Sequence, residues 1–370
     1  MSEIRLPQRT LESIFHDGVE TPEMNRTSAL SKPKAVFLGG QPGCGKSTFA
    51  KMSSTWFASG GFVHLDVDRY RDLHPAYLPM VKSQATELLA PSAVQKDCSQ
   101  WVDMLSKSAT TNNRNQLIEN TMRDPAQVRA TSKTLRNAGY EIEVRIVAVH
   151  SSVSEVSLLK RFENEKQVLG YGRSIPLTYH NQAAAGISKS IEAIEVEKLA
   201  DHLMVFDRQG NVLHENHLIN GEWQFPQLGA SQFEKLRNDA FDFNEQQRVV
   251  SHWDDVVSMM HRRGASETEM SPILQRREAV KTSLSQPYAV PSLETPIEDI
   301  TQGEFNGRII EHTNNGNGVV QKIGRDPDQV AYHARKNLTR VPDVGEVVTI
   351  KYRFGVGQVT DKAIVRQIEL

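Results

Sequence analysis

The strongest chemical signal in the chain is Gly40-Gln41-Pro42-Gly43-Cys44-Gly45-Lys46-Ser47, followed by Thr48. It fits the pattern G-x-x-x-x-G-K-[ST] without a gap. Glycines at these places let the backbone curl until its N–H groups point inward at phosphate oxygens. A helix opening after Gly45 would aim its positive end at the same anion. Lys46 is placed to reach the β- and γ-phosphates, and the Ser47 hydroxyl can ligate Mg²⁺. The expected ligand of residues 40–48 is a nucleoside triphosphate, ATP or GTP.

A loop of this kind only holds a phosphate donor. Transfer also needs a group to orient or deprotonate the acceptor, and positive charge for the moving phosphoryl group. The segment Asp66-Val67-Asp68 offers two carboxylates on alternate residues, which share a face in extended chain. One can help hold Mg²⁺ while the other accepts a proton. Glu119-Asn120-Thr121-Met122-Arg123 brings a carboxylate, a hydroxyl and a guanidinium to one place, groups that grip a polyhydroxylated or phosphorylated acceptor. Arg161 and, in a glycine-containing loop, Arg173 are candidates to meet the γ-phosphate, since forked guanidinium donors match phosphate oxygens.

The elements that must carry these groups are legible as short apolar runs. Ala35-Val36-Phe37-Leu38 ends at the loop glycines and reads as a buried parallel strand. Similar runs occupy Phe62–Asp66, Gln116–Ile118, Ile142–Val149 and Leu203–Phe206, with helical stretches between them, for example Ser92–Ser106 and Ser151–Gln167. Strand and helix in alternation predict an α/β fold, a P-loop kinase-type parallel sheet with helices on both faces. Ligands of such sheets bind at the carboxyl ends of the strands, where Asp66 and Glu119 fall.

About 370 residues predict two or three units. The spacing gives a kinase-like domain at 1–225, a helical extension at 226–265, a proline-containing linker at 266–300 and a small mostly-β domain at 301–370. Leu6–Asp17 reads as an amphipathic helix. In the last segment, turn signals at Asn306-Gly307, Asn314–Gly318, Pro342–Gly345 and Gly355–Gly357 separate β-rich runs at Arg308–Ile310, Gly318–Ile323, Val347–Tyr352 and Ala363–Ile368, a pattern that suggests a small barrel or sandwich.

Taken in order, these residues resemble the zeta-toxin family of bacterial small-molecule kinases. The matching stretches are Leu38–Gly43, Asp66-Val67-Asp68-Arg69-Tyr70-Arg71 with His74-Pro75, Ile118-Glu119-Asn120-Thr121, Arg161-Phe162-Glu163, and Arg173 seven residues before His180. They span about residues 30–215. The resemblance implies phosphorylation of the 3′-hydroxyl of a UDP-N-acetyl sugar by ATP or GTP. It implies Lys46 as the phosphate-loop lysine, Asp68 as general base, Glu119, Thr121 and Arg123 as sugar-nucleotide contacts, and Arg161 and Arg173 as phosphate clamps. A family glutamate on the helix before the third strand has Asp103 as its nearest counterpart here. Asn120 stands where the family often has glycine. The family also implies a separate antitoxin; residues 1–30 or 231–263 would be the segments to act as a restraint in cis. The last 70 residues resemble the KfrB-type domain of plasmid-borne proteins, through Val320–Arg325 and Tyr352–Gly357.

Two other readings compete with that one. A kinase of the same fold can act on another acceptor, such as NAD or a nucleotide. A plasmid-associated nucleotide switch would instead bind nucleic acid or protein through its tail, for which Lys322, Arg325, His333, Arg335, Lys336 and Arg340 form a basic set. The formal net charge of −2 gives the whole chain no long-range pull on polyanions. Two cysteines, Cys44 and Cys98, form neither a disulfide framework nor a metal cluster by spacing. With no run long enough to span a membrane, the simplest location is the cytoplasm.

Overall fold

The computed structural model describes residues 3–83, 85–173, 177–238, 241, 243–284, 303–313, 316–324, 329–353 and 356–361. Two compact units divide the chain. One is Met1–Asn238 with Ser251–Gln275, the other Asp239–Val250 with Arg276–Leu370.

The first unit is built on a seven-stranded sheet: β1 Lys34–Gly40, β2 Val63–Leu65, β3 Gln116–Glu119, β4 Glu141–Val147, β5 His202–Phe206, β6 Val212–Ile219 and β7 Glu222–Trp223. Their order in space is β2-β3-β1-β4-β5-β6-β7. The first five are parallel, and β6 and β7 add an antiparallel edge. Alternate residues of β1 enter two different cores. Ala35 and Phe37 join Trp101, Leu135 and Ile187 on one side, and Val36 and Leu38 join Phe49 and Phe206 on the other. A strand buried on both faces must be apolar throughout, which is why Ala35–Leu38 shows no polar alternation. The chain runs from β1 outward to β2 and back to β3 on one side, then crosses to β4 and β5. The carboxyl end of β1 is therefore a topological switch point, where such sheets bind ligands.

The five predicted strands are all present. The edge strands β6 and β7 were not foreseen, because Val212–Ile219 carries two histidines, an asparagine and a glutamate in an alternating, half-exposed pattern. The predicted N-terminal helix is a longer helical run, Gln8–Ile14, a wider π turn at Phe15–Glu20, and Thr21–Asn25. Leu11, Phe15 and Val19 are buried in the main core, and the Trp101 indole N–H donates to the Leu11 carbonyl at 2.9 Å. Residues 8–25 are thus packed into the domain body.

The helical extension is present as Gly229–Asn238 and Phe243–Arg262. The predicted linker is not: Glu267–Leu284 is a helix. Its start is a capping box, with the Glu269 N–H donating to Ser266 Oγ (3.4 Å) and the Ser266 N–H donating to Glu269 Oε2 (3.0 Å). Pro272 lies early in this helix. The prolines at 287, 291 and 296 lie outside the described residues.

The C-terminal sheet has five antiparallel strands, β8 Gly303–His312, β9 Gly318–Lys322, β10 Val330–Ala334, β11 Val347–Arg353 and β12 Val356–Asp361, in the order β10-β9-β8-β11-β12. It is one sheet where a barrel or sandwich was expected. Ile309, Val319, Val348, Ile350 and Tyr352 form its core. The predicted run Ala363–Ile368 lies outside the described residues, as do Asn314, Arg325 and Gly355. His333, assigned to a basic surface, is fully buried. Its Nδ1 lies 3.1 Å from the Tyr352 hydroxyl and its Nε2 3.0 Å from Gln321 Oε1. Arg340 is spent on Glu346 at 2.7 Å and on Asp361. The basic set is therefore smaller than the sequence suggests.

Candidate active site

The phosphate loop leaves β1 and turns into the helix Lys46–Met52. Gly43 and Gly45 have φ of +81° and +102°, a region that side chains disfavour. A Cβ on Gly43 would stand 2.3 Å from the Ser154 carbonyl oxygen, so only glycine lets the loop lie against the helix Ser151–Leu169. Lys46 Nζ donates to the Gly40 carbonyl at 2.7 Å and reaches Gln41 O at 3.4 Å. The amine thus folds over the loop where phosphate oxygens would lie. Ser47 and Thr48 are exposed, and Pro42 and Cys44 are buried. Gln41 is a brace: its amide donates to Val149 O (3.1 Å) and to Ser154 Oγ (2.5 Å), which in turn meets His180 Nε2 at 2.7 Å.

Two carboxylates follow β2. Asp66 caps the short helix Val67–Tyr70 by accepting the Asp68 N–H at 3.0 Å. Burial first, then the nearby charges of Asp68 and Glu119, push the Asp66 carboxyl up to about 6. Glu119, at the end of β3, accepts from His64 Nε2 at 3.1 Å. Arg69 lies 3.0 Å from His64 Nδ1, and since arginine only donates, His64 carries its proton on Nε2. Ser47, Lys51, His64, Asp66, Arg69 and Glu119 line one cleft of about 570 Å³. The ligating atoms of His64, Asp66 and Glu119 lie within 4.8 Å of one another.

Asp68 points to a second cluster. Its Oδ1 meets Arg71 at 2.8 Å and its Oδ2 lies 3.9 Å from Arg173. Arg173 forks onto Glu165, with Nη2 to Oε1 at 2.7 Å and its backbone N–H to Oε2 at 2.8 Å. Arg161 Nε lies 4.0 Å from the same Glu165. Burial, and then Arg173, lower the proton affinity of Arg161. Three guanidinium groups share two carboxylates here. The surplus positive charge makes the cluster a receptor for an anion.

The structure thus gathers Lys46, Ser47, Asp66 and Glu119 around the loop, and Asp68, Arg161 and Arg173 through ion pairs. Thr121 is half-buried. Arg123 lies over the Tyr179 ring at 4.5 Å. Asn120 spends its side chain on the backbone, accepting the Met122 N–H at 2.8 Å, and Met122 takes a left-handed φ of 50°. Asn120 therefore shapes the turn rather than filling a pocket. Asp103 lies on the face of the helix Gln95–Thr111 opposite Asp97, Trp101 and Leu105, exposed by area yet close enough to neighbouring groups that burial raises its carboxyl above the usual range. The buried carboxylate of that helix is Asp97, held by Arg5 at 3.0 Å, the Leu6 N–H at 2.7 Å and His74 at 3.3 Å.

Sequence reasoning missed His64, Arg69, Arg71 and Glu165. His64 was within reach, lying two residues before Asp66 on the same strand face. Glu165 was too, four residues beyond Arg161 on one helix.

A phosphate loop at the switch point of a parallel sheet, ringed by carboxylates and arginines, defines a P-loop protein of the phosphotransferase type. The zeta toxin family model matches residues 20–219, more than half of the chain, and the chain belongs to the zeta toxin family, whose members are kinase-like toxins. A KfrB domain model matches residues 304–361. Toxin PezT of Streptococcus pneumoniae is 25% identical over 207 residues, covering 52% of this chain and 80% of that protein. Toxin zeta of Enterococcus hirae is 24% identical over 189 residues, 50% of this chain and 64% of that protein. A solved structure from the PezAT toxin–antitoxin system of S. pneumoniae shares the fold, with a TM-score of 0.58 at 19% identity, over 68% of this chain and 98% of that one.

Proposed function

We propose that the chain transfers the γ-phosphate of ATP or GTP to the 3′-hydroxyl of a UDP-N-acetyl sugar, with Asp68 as general base. The observation that carries this reading is the position of Asp68 between Arg71 and Arg173, two residues beyond Asp66, which shares a cleft with Ser47 of the phosphate loop. Its carboxylate takes the proton of the acceptor hydroxyl. The freed oxygen attacks the γ-phosphorus as the bond to the β–γ bridging oxygen breaks, and the nucleoside diphosphate leaves. Arg161 and Arg173 neutralise charge on the phosphoryl oxygens, and Lys46 turns from the Gly40 carbonyl to the β- and γ-phosphates. Glu119, with Thr121, faces the acceptor, and Arg123 joins if it leaves Tyr179.

Crowded carboxylates and an exposed serine hydroxyl suit a hard divalent cation. Asp66 and Ser47 would hold Mg²⁺, which would screen the triphosphate charge. A separate antitoxin is the partner we assign, in keeping with the toxin–antitoxin origin of the structural relative.

Mass spectrometry of reactions with ATP, Mg²⁺ and a panel of UDP-sugars, NAD and nucleosides tests the reading. The expected result is one added phosphate on a UDP-N-acetyl sugar, absent with Lys46→Ala. The exposed position of Asp103 favours a second reading, a kinase with a different acceptor, and phosphate on NAD or a nucleoside would establish it. Triphosphate hydrolysis with no phosphorylated product would overturn both.

A further inference from the structure

We propose that His202, Glu215 and His217 form a binding site for a divalent transition metal, with Zn²⁺ the best-matched ion. Glu215 and His217 are two residues apart on β6 and so share a face, and the register sets His202 of β5 directly opposite His217. Two strands thereby bring three metal-ligating side chains to one spot. His202 Nε2 lies 2.9 Å from Glu215 Oε1, and His217 Nε2 lies 3.5 Å from the same oxygen. Ligands at tetrahedral Zn²⁺ distances stand about 3.3 Å apart, given bonds of roughly 2.0–2.1 Å. The observed spacings bracket that value. Two imidazoles and one carboxylate are a zinc-type donor set that leaves the fourth position to water.

A second observation points the same way. Behind His202 lies Glu143, a buried carboxylate whose Oε2 is 3.6 Å from His202 Nδ1 and is itself held by Lys34 Nζ at 2.5 Å. At 3.6 Å the two are in charge contact, and a small turn of the ring would make the carboxylate the hydrogen-bonding support that ligand histidines recurrently have. The His202 and His217 rings stack at 4.0 Å, 11° from parallel, and closing on an ion requires only that they splay. The Glu215 and His217 side chains are open to solvent, 42% and 46% exposed.

The site is remote from the phosphate loop. His202 opens β5 and Glu143 lies near the start of β4, at the amino ends of the parallel strands, whereas the loop leaves the carboxyl end of β1. A bound ion would act as a clasp, pinning the antiparallel edge strand β6 to the parallel sheet.

The test is titration of the untagged full-length chain with Zn²⁺ against a chelating dye, together with thermal unfolding with and without Zn²⁺. Wild type is expected to bind Zn²⁺ saturably and to melt at a higher temperature in its presence. His217→Ala and His202→Ala are each expected to weaken uptake by at least ~10-fold and to lose the thermal shift. Glu143→Gln is expected to weaken it less. His64→Ala separates the cleft at the phosphate loop, and must leave this uptake intact. His217 is half exposed, so its alanine variant keeps the metal-free fold. Absence of saturable uptake by wild type, or equal uptake and equal thermal shift in wild type and both histidine variants, would overturn the proposal.

Discussion

Asp68 is where the chemistry concentrates at the scale of single residues. Asp68→Asn keeps the shape and the loop but not the proton acceptor. It is expected to bind triphosphate as wild type does and to turn over ~10²–10⁴-fold more slowly. Full turnover in that variant would show that another group is the base. Asn120→Ala removes the bond that sets the turn before Met122, and is expected to cost about 0.5–1.5 kcal/mol of stability, seen as a lowered melting temperature. The loop residues and Asp66, Asp68 and Glu119 were all legible, because strand ends and an ungapped glycine pattern leave little freedom in where they fall. For Asp103, counting back along a helix gives a distance but not a face. The buried Asp97 is six residues, or nearly two turns, from it. The partners Glu165 and Arg71 stood at i+4 from Arg161 and i+3 from Asp68, spacings that most surface charges also show, so spacing alone did not single them out.

Whole elements follow from apolar pattern where the pattern is dense, and fail where it is thin. The parallel strands were readable as unbroken apolar runs; β6 was not, since polar groups alternate along it and it is half exposed. The helix Glu267–Leu284 was mistaken for linker because prolines were weighed and the Ser266–Glu269 capping box was not. The N-terminal run teaches the converse: an amphipathic helix at a terminus looks detachable until its apolar face is found in the core. Deleting residues 1–25 strips Leu11, Phe15 and Val19 from Trp101. The expected outcome is aggregation or loss of cooperative unfolding, with no gain of activity; an active, soluble truncation would reverse that view. In the C-terminal sheet, burial pushes the His333 imidazole down to about 4 from an ordinary 6.5, so the native ring is neutral. The unfolded chain takes up the proton first as pH falls. Stability from this group is full above about pH 6.5 and is lost towards pH 4, by up to ~3 kcal/mol. Amide exchange in β9–β11 at pH 7 and pH 4.5 measures it, and equal protection at both would contradict the assignment.

Across the molecule, two compact units divide the chain, one built on the kinase-like sheet and the other holding Asp239–Val250 and Arg276–Leu370 with the small antiparallel sheet. No helix among the described residues is long and apolar enough to cross a membrane. Within the first unit, the segment Ser251–Gln275 is fastened to the helix that carries Arg161. Arg263 forks onto buried Glu163 at 2.6 and 3.0 Å, and Lys160 meets Asp255 at 2.8 Å. Arg263→Ala leaves the Glu163 carboxylate buried without its fork. We expect a loss on the order of 1–3 kcal/mol by denaturant melts, together with weakened phosphate binding as the arginine helix loosens. Unchanged stability would mean that solvent replaces the fork. The 3.9 Å approach of Arg173 to Asp68 also bears on the sequence of events in a catalytic cycle. While the clamp leans on the base, the base is a poor partner for a hydroxyl. An incoming triphosphate competes for the guanidinium and releases the carboxylate. Initial-rate patterns should accordingly be those of compulsory order, nucleotide first and acceptor second.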